Sequence, residues 1–298
     1  MVFLFGAGAS HLDSGKDRPP LLKGLVEPLQ RAFPRSWGQI PDSSANAFTN
    51  NFEKAMDEYS YGSEHLVELL KDAAQFFSGF RPRTGELEPY YRVVAEYRDR
   101  LLSGDILAST LNYDCLIELS AKQLGVEVNY FGRRYGMGLL KLHGSCNFTV
   151  HPAGITVGGK VTISREGRAD FPVDDPPPEA SEVPRVLQEC KFPPAMALMT
   201  PGKEVVCGHS EIQRIQEGFE EAVRMARILI VVGANFNPLD QHVWMPVYYS
   251  SAHLGFVGNR TSCMSLEHER KLGRTHWIGG RFEESVDDIF DFIRERES

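Results

Sequence analysis

Paired cysteines are the first thing this chain lacks. Its five, Cys115, Cys146, Cys190, Cys207 and Cys263, are odd in number and nowhere form a C-x-x-C pair. A disulfide framework and a four-thiolate zinc site both need closely spaced pairs. The expectation is therefore reduced, mostly buried thiols in a cytoplasmic protein, with no metal. Long apolar runs are missing too, whereas a helix needs roughly 20 such residues to cross a bilayer. The N-terminal Val2-Phe3-Leu4-Phe5 meets glycine at once, so it reads as a first strand rather than a signal peptide. No membrane partner is expected. Nor is there an excess of positive charge: 32 Lys and Arg stand against 40 Asp and Glu, a net charge of −8. Direct nucleic-acid binding relies on a basic surface that displaces counterions, and is not expected here.

What the chain does have is enough material for a folded core. Its 298 residues are 42% hydrophobic and 24% charged, the balance of an ordinary globular protein. Short apolar runs at 105–111, 126–130, 139–142, 228–232, 254–257 and 276–278 read as strands, joining Val2 to Phe5. Segments with helical spacing alternate with them, at 21–33, 51–80 with a break near Gly62, 86–102, 114–124, 211–226 and at the C-terminus. Strand alternating with helix predicts an α/β fold, a doubly wound and mostly parallel Rossmann-like sheet. The whole of 1–298 reads as one such domain. It carries a mainly helical insertion at about 34–103, whose 34–48 stretch reads as loop, and a small irregular Pro/Gly-rich lobe at about 151–195.

In such sheets ligands bind off the carboxyl ends of the strands, and three suspect segments lie there. Gly6-Ala7-Gly8-Ala9-Ser10 breaks the first strand into a glycine turn, where backbone N–H groups and a helix start can hold a pyrophosphate. A larger residue at Gly8 is expected to obstruct that approach. Many βα turns use glycine only for its backbone freedom, and the full G-x-G-x-x-G spacing is absent. Ser109-Thr110-Leu111-Asn112-Tyr113-Asp114 ends a strand in an amide-bearing turn; Asp114, taken alone, reads best as a helix cap. Leu139 to Gly144 delivers His143 beside a glycine that allows close approach. A lone histidine is more often a packed core residue, but its place at a strand end favours function. The other eight histidines, including His151, His209, His242 and His253, read as surface or packing residues.

These segments, in this order, resemble the sirtuin-like (silent information regulator) NAD-consuming superfamily. Gly6 to Ser10 with Ser14-Gly15 resembles its G-A-G-x-S-x-x-S-G opening, with one extra residue between the serines. STLNYDCLIE resembles T-x-N-x-D-x-L, and KLHG resembles the strand bearing the family histidine. VVGANFNPLDQHV resembles the late strand and turn closing on ribose and phosphates, with Asp240 where zinc-less members often carry an acidic residue. FVGN resembles the adenosine loop. The departures matter as well. The paired cysteines of the protein deacylases are missing, as is their F-G-E-x-L-P segment, and the arginine after the opening motif has only Arg18 as a poor counterpart.

The pattern is closest to the zinc-less bacterial branch, which includes NAD hydrolases of anti-phage defence. The resemblance implies NAD as substrate, cleaved at the nicotinamide–ribose bond. Asn112 and His143 are then the catalytic residues, acting on the nicotinamide ribose. Gly6, Ala7, Gly8, Ser10, Asp114, Gly233, Asn235 and Asn259 are the nucleotide contacts. A homo-oligomer or a regulatory protein is the implied partner. The competing readings are an NAD-dependent protein deacylase or ADP-ribosyltransferase, and a non-catalytic module that binds NAD or ADP-ribose.

Overall fold

A computed structural model describes residues 1–12, 17–41, 44, 47–48, 50, 52, 54–56, 65–132, 134–150, 170–197 and 205–297. Among the described residues seven strands form a single sheet: β1 (Val2–Phe5), β2 (Leu107–Thr110), β3 (Val128–Asn129), β4 (Met137–Lys141), β5 (Ile228–Val232), β6 (His253–Val257) and β7 (Thr275–Gly279). Their order across the sheet is β3-β4-β2-β1-β5-β6-β7, and every neighbouring pair is parallel. The sheet grows from β1 in one direction through β2, then returns to the other side of β1 with β5. The chain therefore reverses its winding between β1 and β5, and the carboxyl ends of these two strands flank the switch point.

Alternation along the strands sends side chains into two cores, one on each face. Val2, Leu4, Leu229 and Val231 point into one; Phe3, Phe5, Ile228, Ile230 and Val232 point into the other. The first face is covered by α2 (Val26–Ala32), α3 (Leu66–Ser78), α7 (Val183–Glu189), α8 (His209–Met225), α9 (Gln241–Tyr249) and α10 (Arg260–Glu269). The second is covered by α4 (Pro89–Glu96), α5 (Arg98–Ser103), α6 (Leu116–Gln123) and α11 (Phe282–Glu297). The helices bury single stripes, as in α8, where Ile212, Ile215, Phe219 and Val223 are all buried. A short helix, α1 (Ala7–His11), opens directly from the glycine turn.

Three sequence expectations change. The helix expected over 86–102 is two, because Tyr97 leaves helical geometry between α4 and α5 while its ring packs on Phe3 and Phe290. The stretch read as a loop at 34–48 buries Trp37 and Phe48 completely, their rings in edge contact, so it contributes to the core. The strand and helix signals also omitted α9 and α10. In the Pro-rich stretch no helix crosses Asp174 to Glu182, and α7 begins only at Val183. Gly62, His151, Ser14 and Gly15 lie outside the described residues.

Candidate active site

The floor of the site is backbone. Gly6 N–H donates to the Val232 carbonyl (2.8 Å), Gly8 N–H to the Gly233 carbonyl (2.8 Å), and Gly233 N–H to the Val257 carbonyl (2.7 Å). The turns after β1, β5 and β6 are thus laced together. They are also too close for side chains: a Cβ on Gly6 would sit 2.5 Å from Ala234 Cα, and one on Gly233, whose φ is +65°, 2.2 Å from Ala9 N. The same contact revises the expectation for Gly8. Its Cβ would meet the Gly233 backbone at 3.0 Å, so a larger residue would wedge the β1 and β5 turns apart before it blocked a phosphate.

Asn112 follows β2 and is buried. Its Nδ2 donates to the Gly6 carbonyl (2.9 Å) and to the Ser10 hydroxyl (2.9 Å). A carbonyl can only accept, so the nitrogen must be the atom facing Gly6. Both amide protons are then engaged, and what Asn112 can offer a ligand is the acceptor Oδ1. Ser10 also bonds the Tyr90 hydroxyl (3.0 Å). Burial, with the Asp114 charge added, pushes the Tyr90 hydroxyl well above its ordinary range, so it stays protonated.

Asp114 and His143 are held by a buried cation. Lys141, the last residue of β4, is fully buried. Its Nζ donates to the Asp114 backbone carbonyl (2.5 Å) and to Glu118 Oε1 (2.9 Å). Burial alone would lower the Lys141 pKa, but Glu118, Cys115 and Asp114 outweigh it and hold it up as an ammonium. The bond from Lys141 to the Asp114 carbonyl thereby ties the loop carrying Asn112 and Asp114 to the strand that leads into His143. The expected capping position shifts by one: α6 begins at Leu116 with Cys115 as its N-cap, and the Asp114 side chain, one residue earlier, accepts from Leu116 N–H (3.0 Å). His143 itself is buried, in a turn fixed by Ala197 N–H donating to its carbonyl (2.9 Å). Next to it Gly144, at φ +78°, lies so close to Ala195 that a Cβ would come within 1.9 Å of that carbonyl oxygen.

Burial pushes the Asp114 carboxyl above the usual carboxylate range, against the opposing pulls of Lys141 and the Leu116 amide. A carboxyl with a raised folded pKa binds its proton more tightly in the folded chain than in the unfolded one. The stability it contributes is thus fullest below the unfolded value, about 3.9. It declines as pH rises through the folded value and is level above that. Asp114→Asn is expected to remove this decline: in urea unfolding across an acidic pH series, the variant should gain on the wild type as pH rises. A difference that stays constant over the series would rule out the burial effect.

All ten residues singled out from the sequence (Gly6, Ala7, Gly8, Ser10, Asn112, Asp114, His143, Gly233, Asn235 and Asn259) line one cavity of about 560 Å³ at the switch point. Asn259 does so while capping α10, its Oδ1 accepting from Thr261 N–H (2.8 Å). Arg18 does not reach the cavity. It pairs with Glu88 inside the protein, and Glu88 also accepts from Arg83 N–H (2.9 Å). Sequence reasoning passed over Arg281 and Glu283, which also line the cavity; the end of β7 just before them was the available signal. It also read His242 as a surface or packing residue. In the structure His242 Nε2 lies 3.1 Å from His143 Nε2. Among the described residues no cluster of three or more His, Cys, Asp or Glu is placed to hold a metal ion, and the five cysteines are free.

A parallel, doubly wound sheet with a cavity at its switch point defines the Rossmann-like class of α/β proteins. No family model matches the chain, and no curated protein matches it. Two solved structures of Sir2 homologues are similar to it along nearly the whole length. One, a histidine-to-asparagine mutant in complex with ADP-ribose, covers 99% of this chain and 91% of its own, at 15% identity and a TM-score of 0.46. The other, a Sir2 homologue–NAD complex, covers 100% and 90%, at 16% identity and a TM-score of 0.47.

Proposed function

We propose that the protein is an NAD glycohydrolase, cleaving the nicotinamide–ribose bond with water to give nicotinamide and ADP-ribose. The observation that carries this reading is convergence: the glycine turn, Asn112 and His143 come from three separated segments and line the same cavity. The dinucleotide would lie across the switch point. Its pyrophosphate would rest on the side-chain-free floor at Gly6 to Gly8 and Gly233, where Ala7 opens α1 with its amide. The adenosine would reach toward Asn235 and Asn259, and the nicotinamide ribose toward Asn112 and His143.

The glycosidic bond breaks through a cationic, oxocarbenium-like state. Nicotinamide departs with the bonding electron pair, and water oxygen bonds to the ribose carbon. Asn112, with both amide protons engaged, would hold the water or a ribose hydroxyl through Oδ1. His143 would take the proton that the water releases. Asp114, fixed by the Leu116 amide and the Lys141 ammonium, would keep the Asn112 loop in place. The resemblance of the motifs alone supports the proposed setting, bacterial anti-phage defence, and the proposed assembly with further copies or a regulatory protein.

Incubating the purified protein with NAD and no other substrate tests the reading. Chromatography is expected to show nicotinamide and ADP-ribose in equal amounts. Nicotinamide released only when an acylated peptide or protein acceptor is added would favour deacylation or ADP-ribosyl transfer. NAD that binds and stays intact would favour the binding module.

A further inference from the structure

His143 does not stand alone. Its Nε2 lies 3.1 Å from Nε2 of His242, with ring centroids 5.1 Å apart and ring planes at 68°. The two residues are 99 positions apart, brought together because His143 follows β4 while His242 sits in the first turn of α9. That helix is anchored by buried Val243, Trp244 and Val247, so the half-buried His242 ring rests on a fixed support. The two rings differ in access to the ligand: His143 lines the cavity and His242 is not among its lining residues.

Two imidazole nitrogens at this distance can share only one proton, so one Nε2 donates and the other accepts. The two arrangements have different chemical consequences. If His242 donates, the neutral His143 ring carries its own proton on Nδ1, and its one lone pair is occupied by His242; it is then no base. If His143 donates, its lone pair is on Nδ1 and it can take a proton there. We infer that His242 is a positioning residue whose Nε2 accepts from His143 Nε2–H, fixing the basic tautomer and stabilising the imidazolium formed when His143 deprotonates the attacking water. This rests on the hydrolytic reading above. Atoms balance: the water proton goes to His143 Nδ1, the water oxygen to the ribose carbon, and the electron pair of the broken bond to nicotinamide. The proton then returns to solvent.

The test has one arm that needs no substrate. In protein labelled with ¹⁵N histidine, the ring nitrogens of His143 are expected to show a protonated Nε2 and an unprotonated Nδ1. His242 Nε2 should be unprotonated and coupled to His143 Nε2 across the hydrogen bond, and the coupling should vanish in His242→Ala. The opposite tautomers, or no coupling in the wild type, would overturn the inference. The second arm is kinetic. His242→Ala is expected to lower kcat for nicotinamide release at least about tenfold, within the loss that removal of a general base produces, with KM for NAD little changed. His242→Gln, whose side-chain oxygen can accept the same bond, should recover part of the loss. The exposed His253, at the start of β6, provides the control His253→Ala, expected to match the wild type. An unchanged kcat in His242→Ala would sink the inference even if the wild type cleaves NAD. A wild type with the coupled nitrogens and no cleavage would instead remove the hydrolytic reading, and the catalytic role of His242 with it.

Discussion

Replacing His143 with alanine is expected to slow nicotinamide release by about 10²–10⁴-fold, the range for losing a general base, while most of the affinity for NAD survives. The proposed contacts for pyrophosphate and adenosine lie elsewhere, on the turns after β1, β5 and β6. Asn112→Ala is expected to behave differently, although the sequence alone groups the two residues together. Asn112 holds the Gly6 carbonyl and the Ser10 hydroxyl, so its removal should loosen the glycine turn as well as the hydrolytic step. Its signature should be a fall in kcat together with weaker NAD binding by calorimetry. If His143→Ala cleaves NAD as fast as the wild type, the proposed chemistry is misplaced.

Lys141→Met should be strongly destabilising, costing about 3–5 kcal/mol, as expected when one partner of a buried ion pair is removed. Its effect is concentrated because Lys141 is completely buried and Glu118 nearly so, with side-chain exposures of 0% and 11%. Methionine fills a similar volume but leaves the Glu118 Oε1, among the described residues, with the Tyr130 hydroxyl (3.1 Å) as its hydrogen-bond partner. Replacing both, Lys141→Met with Glu118→Leu, should restore much of the stability, since an apolar pair has no charge to desolvate. Activity should not return with it, because the bond to the Asp114 carbonyl is still missing. Urea midpoints for the wild type and the two variants, set beside their rates, would check this. A Lys141→Met protein as stable as the wild type would refute the role given to the pair.

The ease with which this molecule could be read from its sequence varied with the range of the interactions involved. Ile228 to Val232 is an apolar run that is buried on both faces, and it reads as a strand because nothing else fits. Its glycine turn, like that after β1, marks a strand end and hence a place where ligands bind in such sheets. Partners across the fold left no such mark. His242 lies in QHVWMPVYY, where Pro246 and a run of large apolar residues blur the helical stripe. Its meeting with His143 depends on how α9 packs. The hold of Asn112 on Gly6 spans 106 residues, and no local pattern encodes it. Lys141 is a charge inside the run 139–142 that reads as an apolar strand, and it is sealed in the core because Glu118 one element away neutralises it. Trp37 was hidden by its neighbours: Ser, Pro and Asn around it read as loop, while its indole N–H finds the Leu69 carbonyl (3.0 Å) and allows the ring to be buried.

The floor built from Gly6, Gly8 and Gly233 has a consequence for how the cavity meets a ligand. Backbone locked by cross-strand bonds has no rotamers to freeze, so a molecule settling there orders nothing that was moving before. The entropy cost of association falls instead on side chains at the rim, such as that of the exposed Asn235. Discrimination among ligands sharing the same central group is then expected to be adjustable at those rim positions. The floor, which tolerates no side chain, would remain the invariant part of the recognition surface through any such redesign.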